Sequence, residues 1–213
     1  DEARSSVAAL KRHDVDFLKV YEAIPLRAYR ALVAEAKQTG LQFAGHVPEE
    51  VGPMTAIWSG QRSIEHIRDP LLVCFSAEAA ELEQFFDADG WDADDRAWGR
   101  AAHAACPAII AAFRDRPVWF TPTLTVEKAK VSVEDARHVG DERRNALPPS
   151  VRAGYSEYVQ EQLGQPAAER ASRRLWWSTQ QKVVRRFSDG GVRLLAGTDA
   201  ACEGGLPGHS LHG

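Results

Sequence analysis

Several features that mark common classes of protein are scarce or absent in this sequence of 213 residues. No block of lysine and arginine interrupts a chain whose net charge is −4, so we expect no nucleic-acid partner. The longest apolar stretch, residues 101–113, contains His103 and Pro107 and is too short to span a bilayer, so we expect no membrane segment. No basic-then-apolar leader opens the chain. This weakly favours a cytoplasmic location, although an absent N-terminus would be the place for a signal peptide.

Cysteine and methionine are also scarce. The three cysteines, Cys74, Cys106 and Cys202, are odd in number and widely spaced, which predicts neither a disulfide framework nor a CxxC metal site. We expect each of them to be a small buried residue. The only methionine is Met54, and the chain opens with Asp1, so we expect it to be a piece of a longer chain.

Short apolar segments alternate with helical ones along the chain. Strands are predicted at residues 15–21, 41–46, 63–66, 118–124 and 192–199. Helices are predicted at 26–39, near 49–59, and over most of 69–116 and 126–189. The first three strands recur at the pitch of parallel βα units. Five such strands fit either an open doubly wound sheet or part of a (β/α)₈ barrel.

An acidic segment at residues 87–95 invites comparison with a calcium loop. In an EF-hand loop the glycine follows three alternating acidic positions, and Gly90 stands at the wrong place. We therefore expect this segment to be a solvated loop that caps a helix.

Chemically capable side chains stand at the predicted strand ends: Lys19, His46, His66 and Asp199. Taken singly, each has an ordinary role, such as a solvated lysine, a hydrogen-bonded histidine or a capping aspartate. In a βα barrel, however, the C-terminal strand ends gather at one face, where active sites form. Two histidines and a carboxylate are ligands that zinc-like ions prefer. Glu65 is expected to point away from His66, into packing or a salt bridge.

Short motifs at these positions occur together and in a fixed order. They are Asp16-x-x-Lys19, Gly45-His46, Ile64-Glu65-His66 and Ala196-Gly197-Thr198-Asp199-Ala200. In this combination the chain resembles the amidohydrolase superfamily, and within it the imidazolonepropionase-like and Xaa-Pro dipeptidase-like metal-dependent hydrolases. The resemblance spans residues 14–212 and includes the run Pro207-Gly208-x-Ser210-Leu211-His212.

The resemblance implies an α/β fold, namely a partial (β/α)₈ TIM barrel containing strands four to eight with helical insertions. Residues 1–213 would then form the C-terminal portion of an amidohydrolase metal-dependent barrel domain. A barrel portion has an uncovered inner face, for which we expect Phe17, Phe43 and Leu195 to be partly exposed and the chain to self-associate. A homo-oligomer is therefore left open.

The resemblance also implies a centre with two divalent metals, expected to be zinc. Lys19 would be carboxylated and bridge both ions, His46 and His66 would bind the second ion, and Asp199 would bind the first. A hydroxide between the ions would attack the scissile carbonyl, and Asp199 would pass its proton to the leaving amine. Tyr21 is expected either to touch the substrate or to be a core tyrosine.

Two functions follow from these expectations. The first is hydrolysis of a C–N amide bond in a small-molecule substrate: a cyclic amide, an N-acyl amino acid or a dipeptide. The second is a non-catalytic barrel fragment that serves as a binding or assembly remnant. The second is kept because the family's first strand supplies a His-x-His pair, and no His-x-His occurs among these 213 residues. For the same reason we expect only one of the two metal sites to be well formed in this chain, and we expect the chain to be inactive on its own.

Overall fold

A parallel sheet forms the centre of the fold in a computed structural model, which describes residues 2–133, 145 and 147–200. Its strands are β1 (Phe17–Val20), β2 (Gln42–Gly45), β3 (Ser63–Glu65) and β4 (Trp119–Thr121). Their order in the sheet is their order in the sequence. The described strands thus lack the reversal of order that defines a doubly wound sheet. The expected α/β class is confirmed.

Helices connect and cover these strands. They are α1 (Glu2–Arg12), α2 (Leu26–Thr39), α3 (Gly52–Ser59), α4 (Asp69–Leu72), α5 (Ala79–Asp89), α6 (Ala93–Asp115), α7 (Leu124–Val131), α8 (Pro149–Leu163) and α9 (Ala167–Asp189). A 3₁₀ turn, Val73–Phe75, follows α4 directly. Within the described part of the chain, no helix is both long enough and apolar enough to cross a bilayer.

The fifth predicted strand, 192–199, is much shorter than expected. It is reduced to a parallel bridge between Leu194 and Phe120, with hydrogen bonds from Phe120 N to Arg193 O and from Leu195 N to Phe120 O, both 2.9 Å. The strand predicted at 118–124 also ends early, at Thr121. Pro122 has no N–H to continue the ladder, and the next residue turns into α7.

One face of the sheet packs against the helices and forms the core. Leu18, Phe43, Ile64 and Phe120 are each at most 4 % exposed on this face. Residues on the opposite face are open, and Phe17 is 56 % exposed. The expectation that Phe43 is uncovered is therefore wrong. Since Leu18 pairs with Phe43 and Phe17 pairs with Gln42, the strand register places the two phenylalanines on opposite faces.

Two local features of the helical region bear on the sequence expectations. Asp92 caps α6, because its Oδ1 accepts hydrogen bonds of 2.9 Å from the backbone N–H groups of Asp94 and Asp95. The expected helix cap in the acidic segment is thus confirmed, but the loop is confined to residues 90–92, because 87–89 end α5 and 93–95 begin α6. Cys74 and Cys106 are fully buried as expected, but they also form a disulfide that the sequence did not predict. Cys202 lies outside the described residues.

Candidate metal centre

Two histidines lie side by side where β2 and β3 end. His46 follows β2, His66 follows β3, and their ring centroids are 4.6 Å apart. His46 is almost fully buried, at 6 % exposure. The sequence prediction that the ends of adjacent parallel strands bring these two side chains together agrees with this geometry.

The backbone before His46 depends on a glycine. Gly45 has a φ of 121°, and a Cβ atom built on it would lie 2.4 Å from Val20 O. Only glycine accommodates that conformation and that close approach of β1. The approach also allows His46 N to donate a 3.0 Å hydrogen bond to Val20 O. Gly45 therefore fixes the position from which the His46 side chain projects.

The backbone at His66 leaves the extended conformation. His66 has a φ of 68°, in the left-handed region, and its N–H donates a 2.9 Å hydrogen bond to Thr121 O. This conformation ends the strict alternation of side chains along β3. The expectation that Glu65 points away from His66 is therefore wrong. One ligand atom from each of His46, Glu65 and His66 can be chosen such that all three lie within 4.8 Å of one another.

Lys19 reaches this group from two strands away. Its Nζ lies 2.6 Å from Glu65 Oε2, and the two side chains are 51 % and 22 % exposed. The expected salt bridge of Glu65 is therefore present, with Lys19 as its partner. Ala44 stands beside Lys19 in the register of β1 and β2, and its short side chain leaves room for the lysine to cross.

Both imidazoles favour the neutral form. Burial lowers the pKa of His46 below its ordinary value of 6.5, and the positive charge of Lys19 lowers it further. Burial also lowers the pKa of His66 from 6.5, with a further contribution from His46. Neutral imidazole has a lone pair to offer a metal, whereas imidazolium has none.

An unsatisfied atom also marks this site. The Nδ1 atom of His46 is buried and has no hydrogen-bond partner among the described residues. A buried polar atom without a partner is costly, and a bound cation would satisfy it. The donor set, two imidazoles and a carboxylate, is the one that zinc accepts. The residues present therefore fit a divalent metal.

His66 is held on its other side by Thr123. The Thr123 hydroxyl lies 2.7 Å from His66 Nδ1, within hydrogen-bond distance. Thr123 itself is 5 % exposed and has a φ of 49°. Sequence reasoning missed this residue, because the hydrogen bond joins positions 57 residues apart and no local pattern signals it.

Asp199 is outside the three-residue group, but it lies close enough to His66 for its negative charge to oppose the lowering of that histidine's pKa. Close packing at Gly197 helps to place the segment that contains Asp199 beside the strand ends. A Cβ built on Gly197 would lie 2.5 Å from Thr121 Cγ2, so the glycine permits the segment to pack against the end of β4. The run 207–212 lies outside the described residues.

Tyr21 follows β1 and borders the same histidines. Its ring centroid is 4.5 Å from that of His46, and the residue is 58 % exposed. The alternative of a core tyrosine is therefore wrong. A cavity of about 40 Å³ adjoins the histidines and is lined by Pro53, Leu71 and others. This volume suits water molecules rather than a larger ligand.

Comparison with known proteins identifies a similar fold. No family model and no curated protein matches the chain. Among solved structures, bottromycin amidohydrolase matches with a TM-score of 0.60 and 23 % sequence identity. The match covers 93 % of this chain and 40 % of that protein. At this level of identity the likeness concerns the fold alone.

Proposed function

We propose that this chain forms part of a metal-dependent amidohydrolase that cleaves the C–N amide bond of a small molecule. The observation that carries the proposal is the pair of neutral histidines beside Glu65, with the orphaned Nδ1 of His46 among them. The fold of a protein named as an amidohydrolase gives further support. The substrate is a cyclic amide, an N-acyl amino acid or a dipeptide.

The same proposal includes the architecture. Residues 1–213 are the C-terminal portion of a (β/α)₈ barrel domain, and β1 to β4 with the segment at Leu194 are its strands four to eight. Sequential parallel order supports this assignment, as does a sheet that packs one face against helices while the described residues of its other face are exposed or partly exposed. The open face, with Phe17 and Leu195, would be the inner face of the barrel.

His46 and His66 would hold one divalent ion, with zinc the expected metal, and Asp199 would hold a second. Glu65 is an additional carboxylate within reach of the histidines. As a free ammonium, Lys19 would repel a cation, so carboxylation of its Nζ is required for it to bridge two ions. Such ions lower the pKa of water towards about 7 and polarise a carbonyl.

The site residues of this chain have separate roles in metal binding, proton transfer and substrate contact. Neutral His46 and His66 present lone pairs at neutral pH without first releasing a proton. Asp199 accepts the proton of the attacking water and passes it to the leaving amine. Tyr21, exposed beside His46, contacts the substrate at the open strand ends.

The test measures metal binding and hydrolysis together. The metal-free chain is titrated with Zn²⁺ against a chromogenic chelator and then assayed on panels of N-acyl amino acids, dipeptides and cyclic amides. His46→Ala and His66→Ala should each weaken zinc binding by at least about a hundredfold, since loss of even an outer-sphere partner costs 10- to 100-fold. The exposed His13→Ala serves as the control and should bind zinc as the unaltered chain does. Equal zinc affinity in all four proteins would refute the site.

A non-catalytic remnant is the second candidate. The absence of a His-x-His pair from the 213 residues favours it, because the first ion would then lack two ligands. The two candidates are separated by the titration and the assay. Zinc-dependent turnover by the full-length protein indicates the enzyme, and zinc bound at His46 and His66 without turnover in the full-length protein indicates the remnant.

A further inference from the structure

Thr123 stands where its hydroxyl would ordinarily serve a helix. It is the residue before α7, and threonine is a favoured residue at such a position because its oxygen can accept a backbone N–H of the first turn. No such capping hydrogen bond forms here. The hydroxyl lies instead 2.7 Å from His66 Nδ1. The Thr123 hydroxyl therefore contacts a histidine that follows β3 instead of a backbone N–H of its own helix.

The backbone of Thr123 is strained as well. A φ of 49° and a ψ of 40° place a β-branched residue in the left-handed region, which such residues rarely occupy. Among the described residues, four other than glycine have positive φ, and three of them are His66, Thr123 and Asp199. Strain of this kind persists where the surrounding structure imposes it, and it concentrates at functional sites. Two of the three, His66 and Thr123, are in contact, and Asp199 lies near enough to His66 for its charge to act on that histidine.

The contact decides which nitrogen of His66 is free. A neutral imidazole carries one N–H and one lone pair, and a hydrogen bond at one nitrogen fixes the role of the other. Because Thr123 occupies Nδ1, Nε2 is left for the site. Histidines that bind metals commonly donate their other N–H to an oxygen in this way.

We propose that Thr123 is the positioning residue of His66: its hydroxyl accepts the Nδ1–H and so presents the Nε2 lone pair to the metal. This inference rests on the proposed function for its metal, although the tautomer itself does not depend on any metal. Thr123 acts through His66 and touches neither ion nor substrate.

The first experiment needs no variant. Nitrogen-15 NMR of the metal-free chain reports which nitrogen of each neutral histidine is protonated, and loss of one signal in His66→Asn assigns His66. We expect the Nδ1–H form for His66 in the unaltered chain. An Nε2–H form would overturn the inference.

Variants then separate positioning from folding. Thr123→Val keeps the shape but lacks the hydroxyl, and we expect a mixed tautomer and a loss of zinc affinity of about 10- to 100-fold. Thr123→Ser should restore both. The control is Thr39→Val at the end of α2, because the Thr39 hydroxyl donates a hydrogen bond to Glu35 O of its own helix and takes no part in the site. Thermal unfolding of each variant confirms that it folds.

The outcomes separate the role of Thr123 from the existence of the metal site. Unchanged tautomer and zinc affinity in Thr123→Val would overturn the positioning role while leaving the metal site intact. Absence of zinc binding in the unaltered chain would overturn the proposed function, even with His66 in the Nδ1–H form. Weaker binding in Thr123→Val with rescue by Thr123→Ser would support both.

Discussion

Lys19 Nζ lies 2.6 Å from Glu65 Oε2, although Lys19 is on β1 and Glu65 is on β3. The intervening strand places Ala44 beside the lysine, so nothing larger than a methyl group blocks the path. This ion pair holds a positive charge near His46 and lowers the pKa of that histidine. Carboxylation of Lys19 would replace the ammonium by an anion and break the ion pair, which connects the pair to metal binding.

The first prediction concerns Lys19. With zinc and ¹³C-labelled bicarbonate present, we expect a carbamate signal on Lys19 that is absent from Lys19→Ala. In the full-length protein, we also expect Lys19→Ala to lose tight binding of both ions, because the bridging carboxylate is gone. Lys11→Ala, on the exposed face of α1, is the control and should bind as the unaltered chain does. Retention of both ions by Lys19→Ala would remove Lys19 from the site.

The second prediction concerns Gly45. A Cβ at this position would lie 2.4 Å from the backbone oxygen of Val20, and φ is 121°, so Gly45→Ala combines overpacking with backbone strain. We expect it to lower the free energy of unfolding by about 2 to 4 kcal/mol and to weaken zinc binding by displacing His46.

The control for Gly45→Ala is the same substitution at a glycine that has space for a Cβ atom. A Cβ on Gly154, within α8, would meet nothing within 4 Å. Gly154→Ala should therefore raise the free energy of unfolding by up to about 1 kcal/mol, because alanine favours helix. Urea denaturation of both variants checks the pair. Equal stability of the two would contradict the close approach of β1 and β2.

The third prediction concerns pH and applies to the metal-free chain. The pKa values of His46 and His66 lie below the ordinary 6.5 in the folded protein, so the unfolded chain takes up protons that the folded chain does not. The free energy of unfolding should therefore be unaffected by these groups above pH 6.5 and fall as the pH drops below it. The slope is at most about 1.4 kcal/mol per pH unit for each histidine.

The double variant His46→Gln with His66→Gln tests this origin of the slope, because it removes both histidines whose pKa values are lowered. It should flatten the slope between about pH 6.5 and 5.5. Urea denaturation across that interval supplies the measurement. An equal slope in the unaltered chain and the double variant would show that burial does not depress the two pKa values.

The fourth prediction concerns the disulfide between Cys74 and Cys106. The bond closes a loop of 32 residues, so by loop entropy its reduction should lower the free energy of unfolding by about 3 to 4 kcal/mol. We expect a lower Tm in dithiothreitol for the unaltered chain and no effect of the reductant on Cys106→Ser. Detection of three free thiols under non-reducing conditions would contradict the bond. Such a bond persists in oxidising compartments.

Local signals in the sequence predicted much of the fold. Helix α2 begins after Pro25 and ends before Gly40 with the expected bounds, because proline and glycine punctuate helices through their own backbone preferences. His46 and His66 were also predicted to lie together, since each directly ends a predicted parallel strand. Helix bounds and the placing of residues at strand ends can therefore be predicted from residue alternation and spacing in the sequence.

The remaining features depend on contacts through space. Glu65 was misplaced because alternation along β3 fails at the left-handed His66. Thr123 and the Cys74–Cys106 pair join segments far apart in the chain, and no local pattern reports such a pairing. These features follow from how the helices and strands pack, which composition and periodicity do not encode.

The most direct test of the metal centre is X-ray diffraction from crystals of the zinc-loaded chain at the zinc absorption edge. We expect an anomalous peak about 2.0 to 2.1 Å from one nitrogen of His46 and from Nε2 of His66. We also expect Nδ1 of His66 to keep its hydrogen bond to the Thr123 hydroxyl. A zinc-loaded crystal with no peak between these two histidines would rule out the metal centre.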